Sequence, residues 1–196
     1  FIGEVLRQTE LPQLLLIPAS KDLVGAEVEL VSAERREYRL KDALAALASH
    51  YDYVFLDCPP SLGLLTLNAL SAADLLLIPI QSEYYALEGL SSILETLSLV
   101  QKSFNPALRL GGIVITMFDS RNRLSHQVVE EIRAHFPDKL FRTIVRRNVR
   151  LSECPSYGKP ICLYDPGPTG AQDYRDLAKE LINRGEHNGG AEKGLG

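Results

Sequence analysis

This chain of 196 residues has few cysteines, no long apolar run and no obvious metal-binding cluster. Cys58, Cys154 and Cys162 are odd in number and lack paired metal-ligand spacing, which favours reduced thiols in a cytoplasmic protein. The four histidines are scattered along the chain, which argues against a site built from imidazoles. No apolar stretch approaches the roughly 20 residues needed to cross a bilayer, and no secretory signal is visible at the start.

A glycine-rich loop ending in Lys-Ser/Thr, which cradles nucleotide phosphates in many enzymes, is also missing from the sequence. Residues 1–6 have the pattern of the middle of a helix, and no Met opens the chain. We therefore expect a domain that is incomplete at its N-terminus. A missing central strand would leave a gap in a sheet and expose apolar surface.

Composition predicts one globular domain over residues 1–184. Residues 185–196 are rich in Gly, Glu and Lys with almost no apolar side chain, so we expect a disordered tail there. The net charge of −4 argues against DNA binding by the whole surface, but it permits a local basic patch.

Short apolar runs alternate with helical patterns along the whole sequence. Predicted strands cover residues 14–17, 53–56, 75–80, 112–117 and 141–145. Predicted helices cover residues 64–73, 87–100, 125–136 (capped by Ser125) and 170–184, with helical stripes over 25–47 and a loop over 147–160. The alternation predicts an α/β fold with a doubly wound, mostly parallel sheet.

Asp57 follows the apolar run 53–56, which has the composition of a strand buried on both faces. Pro59 and Pro60 must take the chain out of the sheet, and Ser61 and Gly63 form a pliable turn before the next helix. Open α/β sheets bind ligands at the carboxyl ends of their strands, where a carboxylate can hold Mg²⁺ through water. The simpler alternative is an Asp that ends a strand and caps the next turn.

The longer string is more specific. Asp57-Cys-Pro-Pro-Ser-Leu-Gly63, followed by Thr66-Leu-Asn-Ala-Leu70 and Ala72-Ala-Asp74, resembles the Walker B and switch II region of ParA/Soj-type partition ATPases. These belong to the deviant Walker A group that also contains MinD. The resemblance extends over most of residues 14–184, and it implies a sheet of the P-loop NTPase type that lacks its P-loop strand here.

The resemblance implies roles for individual residues. Asp57 would take the Walker B role with Mg²⁺, and Pro59, Pro60, Ser61 and Gly63 would respond to the γ-phosphate of ATP. Near the adenine the family places the residues that match Thr116, Met117, Arg146 and Arg147. The family usually has Pro where this chain has Arg146, and for Thr116 and Met117 strand-end packing is an equally good explanation.

Arginines form two islands in this acidic chain. Arg142, Arg146, Arg147 and Arg150 have no acid between them in the sequence, and Arg121 and Arg123 form a second pair. ParA-like proteins bind DNA without sequence preference through basic residues in these regions. The resemblance therefore implies phosphate contacts by Arg121, Arg123, Arg147 and Arg150, against the alternative of ordinary solvated arginines.

The function that the resemblance implies is chromosome or plasmid partition. ATP would join a homodimer that binds nucleoid DNA, and a centromere-binding ParB-type partner would stimulate hydrolysis. Without P-loop lysines the chain itself is expected to hydrolyse no ATP. One alternative is a non-catalytic module that binds DNA or a partner. Another, a MinD-like membrane-cycling ATPase, needs a C-terminal amphipathic helix that residues 185–196 cannot supply, so we expect no membrane partner.

Overall fold

The computed structural model describes residues 2–47, 50–59, 61–167 and 169–189. The chain forms two compact units: Phe1–Leu76 with Thr96–Arg109, and Leu77–Glu95 with Leu110–Gly196. The single domain over residues 1–184 stays a prediction. None of the helices in the described ranges combines the length and the apolar character that a membrane span requires.

Eight α-helices and four strands are assigned in the described ranges. The helices are α1 Leu23–Glu29, α2 Arg39–Leu44, α3 Leu64–Ala72, α4 Ala86–Ser103, α5 Arg123–His135, α6 Val149–Glu153, α7 Ile161–Tyr164 and α8 Gly170–Gly189. The strands are β1 Arg7–Gln8, β2 Leu15–Leu16, β3 Leu75–Gln81 and β4 Arg109–Thr116. Short 3₁₀ helices cover Ile2–Val5, Leu30–Ser32, Arg36–Tyr38 and Cys154–Tyr157.

Strands β3 and β4 pair with each other, and α4 connects them. The Arg109 N–H donates to the Asp74 carbonyl (3.0 Å) where both strands begin. The Thr116 hydroxyl donates to the Ile80 carbonyl (3.3 Å) where both strands end, so the strands run parallel. The predicted strands at 75–80 and 112–117, and the helix between them, are confirmed.

Residues 140–146 run alongside the end of β4, but the strand predicted over 141–145 is not assigned, because only isolated bridges form there. Parallel bridges join Ile113 to Leu140 and Phe118 to Arg146. Val114, Phe141 and Val145 form a buried cluster, against which Leu77, Leu151, Leu177 and Leu181 pack. The predicted α/β architecture with a parallel sheet is therefore confirmed.

Two details of α5 and α8 differ from the sequence prediction. Asn122, and not Ser125, caps α5, because its Oδ1 accepts from the Leu124 N–H at 3.0 Å. Ser125 is buried, and its hydroxyl donates to the Ser82 carbonyl (3.3 Å). Helix α8 continues to Gly189, so residues 185–189 of the predicted tail are helical, while residues 190–196 lie outside the described range.

Two further predictions need correction. The predicted loop over 147–160 contains α6 and a 3₁₀ helix, because Asn148 Oδ1 accepts from the Arg150 N–H (2.8 Å) and caps α6.

In the first unit, β1 and β2 form a two-residue antiparallel pair. The predicted strand 53–56 is absent: residues 51–59 carry no assigned helix or strand, since no strand of the described residues pairs with them.

Candidate functional site

The Asp57 segment belongs to the first unit, and it is open to solvent. Tyr53, Val54 and Phe55 are 49%, 48% and 73% exposed, and Asp57 itself is exposed. The sequence placed these apolar side chains in a buried strand, and that was wrong for this chain. Asp57 acts on its neighbour, since desolvation and then the Asp57 carboxylate raise the pKa of the Cys58 thiol.

The residues after Asp57 lead directly into α3. The Thr66 hydroxyl donates to the Ser61 carbonyl (2.7 Å), which ties the turn to the first turn of the helix. Gly63 precedes α3, and a Cβ placed there would collide with Oε1 of Glu27. The same oxygen accepts from the Leu65 N–H at 3.5 Å. A Cβ at Gly63 would therefore have to displace the flexible end of the Glu27 side chain. Pro60 lies outside the described residues.

A groove of about 400 Å³ lies next to this turn in the first unit. Leu62, Gly63 and Leu67 line one part of it, and Leu99, Val100 and Phe104 line another. The lining is mainly apolar and does not include Asp57. The groove therefore lies beside the predicted phosphate sensor but does not contain the predicted magnesium ligand.

The second unit brings the other predicted nucleotide residues to one end of β4. Thr116 ends the strand, and Met117 has a left-handed backbone (φ 53°), a conformation that is uncommon for a side chain of this size. Phe118 follows and forms the parallel bridge with Arg146. Thr116, Met117, Arg146 and Arg147 therefore lie within two residues of one bridge, although the sequence separates them into two segments.

Arg146 is held by Asp173 of α8. Its backbone N–H and its Nε each donate to Asp173 Oδ2 at 3.0 Å, and Nη2 donates to Oδ1 at 2.6 Å. Asp173 is buried (6% exposed), and it raises the pKa of Arg146 through this bidentate pair. The guanidinium plane is fixed as a consequence, and half of the Arg146 side chain remains exposed.

Carboxylates also accompany three of the predicted DNA-binding arginines. Asp119 accepts from the backbone and the guanidinium of Arg121, which holds the pKa of Asp119 at about 2. Arg150 Nη1 lies 2.9 Å from Glu153 Oε2, and Arg150 Nε lies 3.6 Å from Asp165 Oδ2. Arg147 Nη2 lies 3.9 Å from Glu83 Oε1. Such exposed pairs are weak, so a phosphate can displace them.

The two arginine islands therefore carry much less net positive charge than the sequence suggests. Sequence reasoning missed the partner acids Asp119, Glu153, Asp165, Asp173 and Glu83. The first two stand two and three residues from their arginines, so local spacing could have identified them. Nothing in the sequence signals Asp173, which lies 27 residues after Arg146.

Within the described ranges, no three His, Cys, Asp or Glu side chains come together as a metal site. In that part of the chain, a magnesium ion beside Asp57 would therefore have fewer than three protein ligands of these types, and phosphate and water oxygens would supply the rest. That donor set fits Mg²⁺, which keeps several waters and is commonly bound through one or two carboxylates plus substrate phosphates.

Comparison with known proteins connects this geometry to a family. The model of a family described as an AAA domain matches residues 1–110. The chain is 59% identical over 183 residues to the chromosome partitioning protein ParA of Myxococcus xanthus, covering 93% of this chain and 65% of that protein. It thus spans just under two thirds of that relative's length.

Two more similarities agree. The chain is 54% identical over 182 residues to the sporulation initiation inhibitor protein Soj of Bacillus subtilis, covering 93% of this chain and 72% of Soj. A solved structure of cobyrinic acid a,c-diamide synthase from Mycobacterium smegmatis, with bound ADP and magnesium, is 35% identical with a TM-score of 0.69, over 81% of this chain and 69% of that one. The fold is of the P-loop NTPase type, and the chain belongs to the family of ParA/Soj-type partition ATPases.

Proposed function

We propose that this chain is part of a partition ATPase in which ATP and Mg²⁺ control dimerisation and DNA binding. Membership of the ParA/Soj family supports the proposal. The observation that carries it is the bridge between Phe118 and Arg146, because this bridge brings two arginine-bearing segments to one end of β4. A surface that is to follow a DNA backbone needs several cations in one place.

Within the first unit, Asp57 and the turn after it would serve the magnesium ion and the γ-phosphate. Mg²⁺, when bound, would supply charge stabilisation to the phosphates, and Asp57 would orient its water ligands. Pro59, Pro60, Ser61 and Gly63 would change conformation with the γ-phosphate, and the Ser61–Thr66 hydrogen bond would transmit the change to α3.

The base would lie beside Thr116 and Met117, with Arg146 and Arg147 bordering it. Arg146 suits this place because Asp173 fixes its flat guanidinium, and such a plane can stack on an aromatic ring. The Thr116 hydroxyl already donates to the Ile80 carbonyl, so any contact of Thr116 with a base would use its methyl group or its backbone.

The nucleotide part is tested by ATP turnover. The full-length protein should show magnesium-dependent turnover that Asp57→Ala removes, and a ParB-type partner should accelerate it. The 196-residue chain alone should show none, because it holds no phosphate-loop lysine. Turnover by this chain above its own Asp57→Ala control would contradict the proposed need for that loop.

The DNA part is tested by binding to duplex DNA of mixed sequence as the salt concentration is varied. The double variant Arg147→Glu/Arg150→Glu of the full-length protein should lose about 2 units of the slope of log affinity against log salt, since each phosphate contact adds roughly 0.9. Arg133→Glu/Arg175→Glu makes the same charge change on exposed faces of α5 and α8, and should lose much less. Equal losses in both would contradict a defined arginine surface.

DNA binding without any nucleotide dependence would instead favour the non-catalytic module. The exposed position of Asp57 in this chain is the observation that keeps this second candidate open. Binding should be measured with ATP, with ADP and without nucleotide. A partition switch requires that the ATP-bound protein binds DNA most tightly, since a ligand shifts a conformational equilibrium only through differential affinity.

A further inference from the structure

Asp173 is a buried carboxylate of the second unit, and its hydrogen bonds hold the place where two chain segments meet. Asp173, in the first turn of α8, accepts all three of its assigned hydrogen bonds from Arg146, one from the backbone and two from the guanidinium. A buried carboxylate needs such compensation. The bond to the backbone N–H also fixes the main chain at Arg146, which a side-chain ion pair alone would not do.

Arg146 is the residue at which the two arginine-bearing segments meet. Residues 118–123 carry Arg121 and Arg123, and residues 146–150 carry Arg147 and Arg150. Backbone hydrogen bonds join the segments: the Phe118 N–H donates to Val145 O (3.2 Å), and the Arg147 N–H donates to Phe118 O (3.0 Å). Holding Arg146 therefore holds both segments.

The start of α8 provides a firm base for this junction. The Asp173 N–H donates to the Thr169 carbonyl (3.0 Å), and Ala171 is buried. Gly170 packs so closely against the next segment that a Cβ there would lie 2.9 Å from Leu151 Cγ and 3.3 Å from Asn148 Nδ2. Helix α6, which carries Arg150, thus rests on the same turn of α8 that carries Asp173.

We propose that Asp173 is a positioning residue for DNA binding: by holding the backbone and the guanidinium of Arg146, it keeps residues 118–123 and 146–150 in the one arrangement in which their arginines reach phosphates together. This inference rests on the proposed DNA binding of the same arginines. Asp173 itself contacts no DNA in this proposal.

A purely electrostatic role for Asp173 makes the opposite prediction. As a negative charge near arginines, Asp173 would weaken DNA binding, and Asp173→Asn would then strengthen it. Under the positioning role, Asp173→Asn weakens binding although it adds one unit of net positive charge. Arg146→Gln removes one unit of positive charge and also weakens binding, because it breaks the same junction.

The binding test uses the full-length protein, mixed-sequence duplex DNA and a salt series. We expect Asp173→Asn and Arg146→Gln each to lower the slope of log affinity against log salt by about 1 to 2 units, which is one or two phosphate contacts. Arg146→Lys keeps the charge and the backbone bond to Asp173 but cannot form the bidentate pair, so it should show part of the loss. An increase in slope for Asp173→Asn would overturn the proposal, and so would an unchanged slope for Arg146→Lys.

A second measurement is independent of DNA, so that failure of the positioning role can be told apart from failure of the proposed function. Glu180 of α8 provides the matched control, because it accepts from the Arg142 N–H and from the Thr143 N–H, each at 2.8 Å. Hydrogen exchange should rise at least 10-fold at the Phe118 and Arg147 amides in Asp173→Asn. Glu180→Gln should raise exchange at Arg142 and Thr143 instead.

Equal exchange at Phe118 and Arg147 in the wild type and in Asp173→Asn would overturn the positioning role whatever the DNA result. A different outcome would remove the proposed function and leave the structural role of Asp173 intact. In that outcome Asp173→Asn raises exchange at Phe118 and Arg147, but the wild-type protein binds no DNA at any salt concentration.

Discussion

The Asp57 segment and the Arg146 segment were both predicted to lie beside nucleotide phosphates or the base, yet they differ sharply in how they are held. Residues 53–55 expose apolar side chains to solvent, and residues 53–57 have no strand partner in the described part of the chain. Residues 145–147 are fixed by β4, by Phe118 and by Asp173. Apolar composition alone therefore does not make a strand.

The difference follows from where the stabilising partners lie. A strand has no internal hydrogen bonds, so a run such as 53–56 depends on a neighbouring strand to satisfy its backbone. The Arg146 segment finds its neighbour in β4 and a second support in α8. The same chain therefore presents one site residue on an unsupported segment and another on a rigid one.

The largest expected effect comes from removing the Phe141 ring, and removing the Phe55 ring of the other region is the comparison. Phe141 is 1% exposed, with the Arg184 guanidinium 4.0 Å from its ring centre, so Phe141→Ala should cost about 3–5 kcal/mol in the free energy of unfolding. Phe55→Ala should change it by less than about 0.5 kcal/mol in the 196-residue chain. Urea unfolding measures both. A cost at Phe55 close to that at Phe141 would show that residues 53–56 are packed.

A second pair of substitutions tests space at two glycines. A Cβ at Gly112 would enter the Phe141 ring and lie 3.0 Å from the Lys139 carbonyl, neither of which can move freely. Gly112→Ala should therefore cost about 1–3 kcal/mol. Gly63→Ala meets only the end of the Glu27 side chain, which can rotate away, so we expect a smaller cost. Thermal unfolding of both variants gives the ranking, and a reversed order would contradict it.

Elements that carry their own periodicity were predictable. Helix α4 has apolar residues at helical spacing and ends at Ser103, just before Asn105-Pro106. Strands β3 and β4 are the predicted apolar runs. The cap of α5 was missed because Ser125 and Asn122 are both good capping residues, and only the structure shows that Ser125 is buried against Ser82. The strand predicted over residues 53–56 was wrong because the sequence cannot show whether a strand has a partner to pair with.

The candidate site was predictable at the level of residue types but not of charge. The sequence singled out the arginines as candidate site residues because no acid stands between Arg142 and Arg150. Asp119 and Glu153 lie two and three residues from their arginines, but Glu83 precedes α4 and Asp173 lies in α8. Contacts over the longer separations depend on the tertiary fold, so the full charge balance of this surface emerges only in three dimensions.

Glu180 gives a smaller effect that depends on pH. Partial burial raises the pKa of Glu180, but hydrogen bonds from the Arg142 and Thr143 N–H groups, the Thr143 hydroxyl and Arg184 outweigh it and lower the pKa overall. Its contribution is therefore fully present above the ordinary glutamate pKa of about 4.3 and is lost as the pH falls through the lowered value.

Glu180→Gln should accordingly lose about 1–2 kcal/mol at pH 7, a figure reduced from that of a fully buried charged hydrogen bond because the site is partly hydrated. The gap between the wild type and the variant should narrow below about pH 4. Urea unfolding at pH 7 and pH 3.5 measures it. A gap that widens in acid would contradict the lowered pKa.

The smallest expected effect concerns Asp119. It tests whether Arg121 contacts DNA phosphates or whether only the net charge of the protein affects DNA binding. Arg121 donates to both Asp119 oxygens at 3.0 Å, and the Asp119 pKa of about 2 keeps the carboxylate charged at every pH at which DNA binding is measured. Asp119→Asn therefore frees one guanidinium without removing a cation. Affinity for duplex DNA in 0.1 M salt should rise about 2- to 5-fold, with the salt slope increasing by up to about 0.9.

Asp138→Asn makes the same charge change outside the arginine segments and should leave the slope unchanged. If both variants raise the affinity equally, the effect is one of net charge. If neither does, Arg121 makes no phosphate contact, and the proposed DNA surface reduces to Arg123, Arg147 and Arg150.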